Sequence, residues 1–318
     1  MPKKSSRPRR NPQSPSPQPP AFSPLAMDQT MANVEKLLAS QNFQSIDEAN
    51  AFLQKMLREH GGQLPEVAPS TPLEQAQALV AQAYEVTAPG RRRALAQQAL
   101  ALSPDCADAY ALLAELEPVL YRKLEVMEQA VAAGRRALGE IRFKELEGAF
   151  WGFVETRPFM RAYAAVAEFS WALGDRARAI AIYTDMLHLN PGDNQGVRYI
   201  LATCLLEERS PEAQAALQNL LKRFPDDVAA NWAYSRALLF FQLQSHPTDR
   251  ANQALRKAMK ANPHVPPLLL GEEPMPRDLP RFIGFGDVNE AAEYVAFAHD
   301  AWRHTSGALP WLRQQKRT

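Results

Sequence analysis

Glu155 and Arg157 lie in the stretch FWGFVETRPFMRA, where Phe150, Trp151, Phe153, Phe159 and Met160 crowd aromatic rings and sulfur around two opposite charges. Aromatic faces attract cations and exclude water, so Trp151, Glu155 and Arg157 could form a ligand pocket. The same residues suit a packed connector in which Glu155 and Arg157 satisfy each other or exposed helix ends. The connector is the favoured reading. Pro158 follows where a helix can begin without losing a hydrogen-bond donor.

Other reactive side chains do not assemble into motifs. His60, His188, His246, His264, His299 and His304 form no HExxH and pair with no cysteine at ligand spacing. His299 and His304 are five apart, which is not one helical face, so no metal is expected. Glu145 with Glu147, and Glu207 with Glu208, read as solvated helix faces. GxxxxGK[ST], GxGxxG and GxSxG are all missing, and GFGDV near Gly284 follows no strand and reads as a turn. No catalytic residue and no cofactor are expected.

Bulk properties frame these residues. With 318 residues, 46% of them hydrophobic, the chain can bury one or two cores. The formal charge is +1, but Lys3, Lys4, Arg7, Arg9 and Arg10 fall in an acid-free leader; without those five positive charges the rest stands at −4. Cys106 and Cys204 make no CxxC and no disulfide framework, which suits a reducing cytoplasm. No apolar run approaches the roughly 18 residues of a membrane span, so no membrane partner is expected.

The elements follow from punctuation. Residues 1–26 are proline-rich and basic, and are expected to be a disordered tail. Residues 27–69 read as a short helical pair and linker, with Ser45 opening the second helix and Gly61-Gly62 ending it. Paired helices occupy 70–270, and an extended segment with C-terminal capping helices fills 271–318. The run NPHVPPLLLGEEPMPRDLPRFIGFGD, which begins at Asn262, is too proline-rich for helix and is expected to pack as an extended cap. Pro191, Pro225 and Pro263 end successive units, 34 and 38 residues apart, and 34 is the tetratricopeptide period. Counting back from them places Ala179, Ala213 and Ala251 at helix crossings, with Tyr183, Leu217 and Leu255 four places on. The fold predicted is all-α: a tetratricopeptide-like superhelix of stacked helix pairs, an α-solenoid.

FWGFVETRPFMRA, LNPGDNQGVRY, NPHVPPLLLG and the helix AAEYVAFAHDAW resemble segments of a group of bacterial tetratricopeptide proteins. LNPGDNQGVRY is also similar to the suppressor-of-tumorigenicity-seven proteins. The resemblance spans about Thr71 to Leu312. It implies an all-helical, partner-binding protein and carries over no catalytic residue.

In such a fold the first helices line a concave face. Places two, five and nine of successive units put Arg161, Glu168, Gln195, Arg198, Trp232 and Arg236 on it. Arginine binds carboxylate bidentately, so this groove is expected to hold an acidic protein or peptide segment. The function expected is a cytoplasmic, non-enzymatic interaction scaffold. Two alternatives stand beside it: a nucleic-acid-associated accessory protein using the basic tail, and an enzyme with an unfamiliar site between Trp151 and Arg161.

Overall fold

A computed structural model describes residues 24–279 and 282–317. The tail up to residue 23, with the disorder and nucleic-acid contact expected of it, lies outside the described residues. Among those described, the chain forms fifteen α-helices and no strand. The described residues divide into two compact units, 24–68 and 69–317.

The first unit holds α1 (Pro24–Ala39) and α2 (Ile46–Glu59). Ser45 caps α2 by accepting from the Glu48 N–H, while the Glu48 carboxylate reaches back to the Gln44 N–H at 2.7 Å. That reciprocal arrangement satisfies donors a helix start leaves open. Asn33 pins the outgoing chain, donating to the Pro65 carbonyl and accepting from the Val67 N–H.

The second unit is a run of helix pairs. They are α3 (Pro72–Tyr84) with α4 (Pro89–Leu102), α5 (Ala107–Glu115) with α6 (Leu120–Glu145), and α7 (Arg157–Ala172) with α8 (Arg176–Leu189). Then come α9 (Val197–Glu208) with α10 (Pro211–Arg223), and α11 (Ala230–Gln242) with α12 (Asp249–Ala261). Starts are set by local chemistry: Thr71 forms a full capping box with Glu74, and Ser210 and Thr248 accept from the third N–H of α10 and α12. The crossing alanines Ala179 and Ala251 are fully buried and Ala213 is 5% exposed; Leu217 and Leu255 are fully buried, and Tyr183 is 4% exposed. The repeat alignment read from the prolines therefore matches the packing. First helices of neighbouring pairs also meet, α3 on α5, α5 on α7 and α9 on α11, as a tetratricopeptide-like solenoid requires.

Two backbone positions need their residues. A Cβ on Gly134 would come within 3.0 Å of the Phe159 backbone, so glycine lets α6 and α7 approach. Gly139 has φ 71° and breaks the regular path of α6. After α9, Arg209 takes the left-handed conformation, φ 57°, at a cost of roughly 1 kcal/mol. Its guanidinium donates to the His304 carbonyl, which ties that turn to α14.

The C-terminal segment corrects one expectation. Proline-rich NPHVPPLLL is expected to be extended, yet Val265–Leu269 forms a short helix, α13, with all five residues buried. Pro266 and Pro267 occupy its first turn, where no intrahelical donor is lost. α14 (Val288–His304) and α15 (Ala308–Lys316) follow. α14 turns back onto the last two helix pairs and lies on α9 and α11.

Candidate functional site

The turn Asp193–Gly196 builds one wall of the site. Asp193 has φ 47° and is 3% exposed, and its carboxylate accepts from the Val197 and Arg198 N–H groups at 2.7 and 3.0 Å. Those are open donors at the start of α9, where a negative charge also complements the helix dipole. Arg198 then runs between two buried carboxylates, 2.8 Å from Asp193 and 2.7 Å from Asp227 of the next repeat. Tyr199 donates to the same Asp227 oxygen at 2.9 Å, and burial followed by that bond pushes its phenol up to about 12. Asp227 also accepts from the Ala229 N–H at the entry to α11. The motif LNPGDNQGVRY is thus a latch between α9 and α11.

The second wall comes from α14 and the turn before it. Glu290 is 7% exposed and accepts three hydrogen bonds: from the Ala230 N–H at 2.8 Å, the Gly286 N–H at 2.7 Å and the Asn262 amide at 2.9 Å. Asp287 caps α14 by accepting from the Glu290 N–H. These bonds set the turn 284–287 and one face of α14 opposite α9.

Between the walls is a cavity of about 460 Å³. Its apolar lining includes Ile200, Ile283, Phe285 and Phe297, of which Phe285 is 79% and Phe297 48% exposed. Large apolar side chains grouped this openly mark surfaces that receive another molecule. Its polar lining includes Gln195, Asn231 and Glu293. Glu293 is half-buried and makes no ion pair among the described residues. Burial, and then the charge of Glu290, push its carboxyl above the usual range. With Arg198 already neutralised by two aspartates, the surplus charge here is negative.

The chain is similar to the ST7 proteins. It is 27% identical to the ST7 homolog of Caenorhabditis elegans over 262 residues, 68% of this chain and 46% of that protein. It is 28% identical to the suppressor of tumorigenicity 7 protein-like of Rattus norvegicus over 248 residues, covering 71% and 44%. For the Homo sapiens protein of that description the identity is 27% over 249 residues, covering 71% and 42%. The chain thus spans less than half the length of these relatives. No family model matches it. Among solved structures it is similar to YrrB, a TPR protein with an unusual peptide-binding site, at 17% identity and a TM-score of 0.40, covering 65% of this chain and 90% of that one.

The residues expected to share one groove are dispersed. Gln195 and Arg198 line the cavity beside α14. Trp232 does not: it is fully buried, edge-on to Tyr199 and Phe224, and its indole donates to the Phe224 carbonyl at 2.9 Å. Asn231 lines the cavity instead. The cause is a shorter turn, since α9 begins six residues after Pro191 and α11 five after Pro225. Arg236 is about 140° around α11 from Asn231 and lines a different cleft, between α10, α11 and α12. Arg161 binds Asp108 of α5 at 2.9 Å, joining neighbouring pairs as Arg198 does, and Glu168 is exposed on α7.

The aromatic stretch is a connector. Arg157 is 8% exposed, its guanidinium 5.2 Å from the centre of the Trp151 ring, and it donates to the Trp151 carbonyl. Glu155 pairs with Arg142 at 2.7 Å and not with Arg157. Thr156 donates to the Phe150 carbonyl, and Phe143, Phe150 and Phe159 meet edge to face. Both thiols are buried, and burial pushes Cys106 and Cys204 up to about 12, so neither is a ready nucleophile. No helix among the described residues is long and apolar enough to cross a membrane.

Glu290, Glu293, Phe285 and Phe297 escaped the sequence reading. Phe297 stands beside acids on a legible helix and Phe285 in the glycine turn before it, but nothing local says that this helix folds back onto α9.

Proposed function

We propose that this protein is a non-enzymatic interaction scaffold that holds a segment of a partner protein in the cavity between α9, α11 and α14. The observation that carries the reading is the open grouping of Phe285, Phe297, Ile283 and Ile200 around an unpaired, half-buried Glu293. Burying each such apolar side chain contributes about 1.5–3 kcal/mol. A partner cation restores to Glu293 the stabilisation that burial removes.

The chemistry selects the partner. Arg198 is occupied by Asp193 and Asp227, so an acidic segment gains nothing from it. A segment with two or three apolar side chains and one lysine or arginine complements both walls. Gln195 and Asn231 supply amide groups for its backbone.

Selection of a displayed peptide library on the full chain tests this. Sequences with aromatic or aliphatic residues beside a basic one should be enriched. Phe297→Ala should weaken a selected peptide, and Glu293→Gln should weaken peptides with the basic residue more than those without it. Selected peptides that bind equally well to both folded variants and to the unaltered chain would refute the assignment.

A further inference from the structure

The cleft between α10, α11 and α12 has the opposite charge to the cavity beside α14. It encloses about 510 Å³. Lys222, Arg236, Arg250 and Lys257 line it, and no aspartate or glutamate does. Among the described residues none of these four makes an ion pair, although Arg236 is half-buried. Four like charges facing one partly enclosed space repel each other, and its low-dielectric walls strengthen their field. An anion entering the cleft relieves that repulsion.

We propose that this cleft binds an extended acidic segment of a partner protein. Spacing supplies the first argument. Arg250 and Lys257 stand seven residues apart on α12, about 10 Å along its axis, beyond the reach of one phosphate group. An extended chain repeats side chains on one face every ~7 Å, so alternate carboxylates can meet successive cations. The second argument separates protein from nucleic acid. Single strands use open aromatic faces for base stacking. Phe240, the ring lining this cleft, is covered by the Arg250 guanidinium at 3.9 Å. A membrane surface fits less well, because Leu221 is buried, Ala254 is half-buried and no large apolar side chain is exposed at the cleft.

The test uses the full chain and a fluorescein-labelled octaglutamate peptide, followed by fluorescence anisotropy. Saturable binding should appear at low salt and weaken as sodium chloride rises. R236Q/K257Q should weaken it roughly tenfold, equivalent to about 1.4 kcal/mol. K222E/K257E, both exposed positions, provides a second variant that leaves the core untouched; circular dichroism melts establish folding for each. Glu293→Gln should leave octaglutamate binding unchanged. Equal affinity in both folded cleft variants would overturn the proposal and locate binding elsewhere, for example on the basic N-terminal residues. Tighter binding of a short oligouridylate, or of phosphatidylserine vesicles, than of octaglutamate would overturn the choice of a protein segment.

Discussion

Glu290 on α14 accepts a hydrogen bond from the backbone N–H of Ala230, 60 residues earlier, at 2.8 Å. Ala230 begins α11, so a helix near the C-terminus supplies the anion that satisfies an earlier helix start. The same carboxylate holds Gly286 and Asn262. Glu290→Ala leaves these buried donors unmatched and should cost about 2–3 kcal/mol, read from urea unfolding. Glu290→Gln keeps one acceptor oxygen and should cost less. A loss below ~0.5 kcal/mol in the alanine variant would mean that water replaces the carboxylate.

Arg198 should matter to stability more than to binding. Truncation to alanine strands Asp193 and Asp227, whose side chains are 1% and 6% exposed. Breaking such a pair from one side typically costs about 3–5 kcal/mol. Arg198→Lys should recover part of this, because an ammonium meets one aspartate well but cannot span both as the planar fork does. Differential scanning calorimetry of the two variants gives the ordering.

The helix crossings should reject bulk. Ala179→Trp forces a large ring where the alanine is fully buried, and overpacking costs roughly 1–3 kcal/mol. Lys222→Ala on the surface of α10 should stay within about 0.5 kcal/mol. Equal shifts in melting temperature would contradict the pairing of α7 with α8.

Glu293 gives a pH dependence of defined sign. Its carboxyl is raised by burial and by Glu290 on the same helix, while Arg198 across the cavity is held by its own aspartates. A carboxyl with a higher pKa when folded binds more protons in the folded state. Its contribution to stability therefore falls as pH rises from the unfolded value, about 4.3, through the raised folded value. Glu293→Gln should raise the melting temperature at pH 8, flatten its dependence on pH above 4.3, and weaken partners carrying a basic residue. A lower melting temperature at pH 8 would show that the carboxylate is paired.

Much of the fold is legible because the signals are local. Pro191, Pro225 and Pro263, the caps at Thr71 and Ser210, and small residues such as Ala179 each act within one or two turns of helix. The candidate site is less legible because it depends on register and on return. One residue fewer after Pro225 turns Trp232 into the core and Asn231 outward, and the proline rhythm does not reveal that loss. The pairs Arg198–Asp227 and Arg161–Asp108 join residues about one repeat or more apart, and no local pattern marks either. α14 was legible as a helix but not as a neighbour of α9.

The return of α14 also alters how the second unit can unfold. A plain array of repeats behaves as a zipper, fraying from either end with each repeat answering mainly to its neighbours. Here Glu290 on Ala230, and Arg209 on the His304 carbonyl, link positions 60 and 95 residues apart. α9 and α11 cannot open while α14 stays docked, and the chain end cannot leave without exposing both. The last two repeats and the C-terminal helices therefore form one cooperative block, whose loop closure delays folding and whose slowest exchanging amides should lie in α9 and α11.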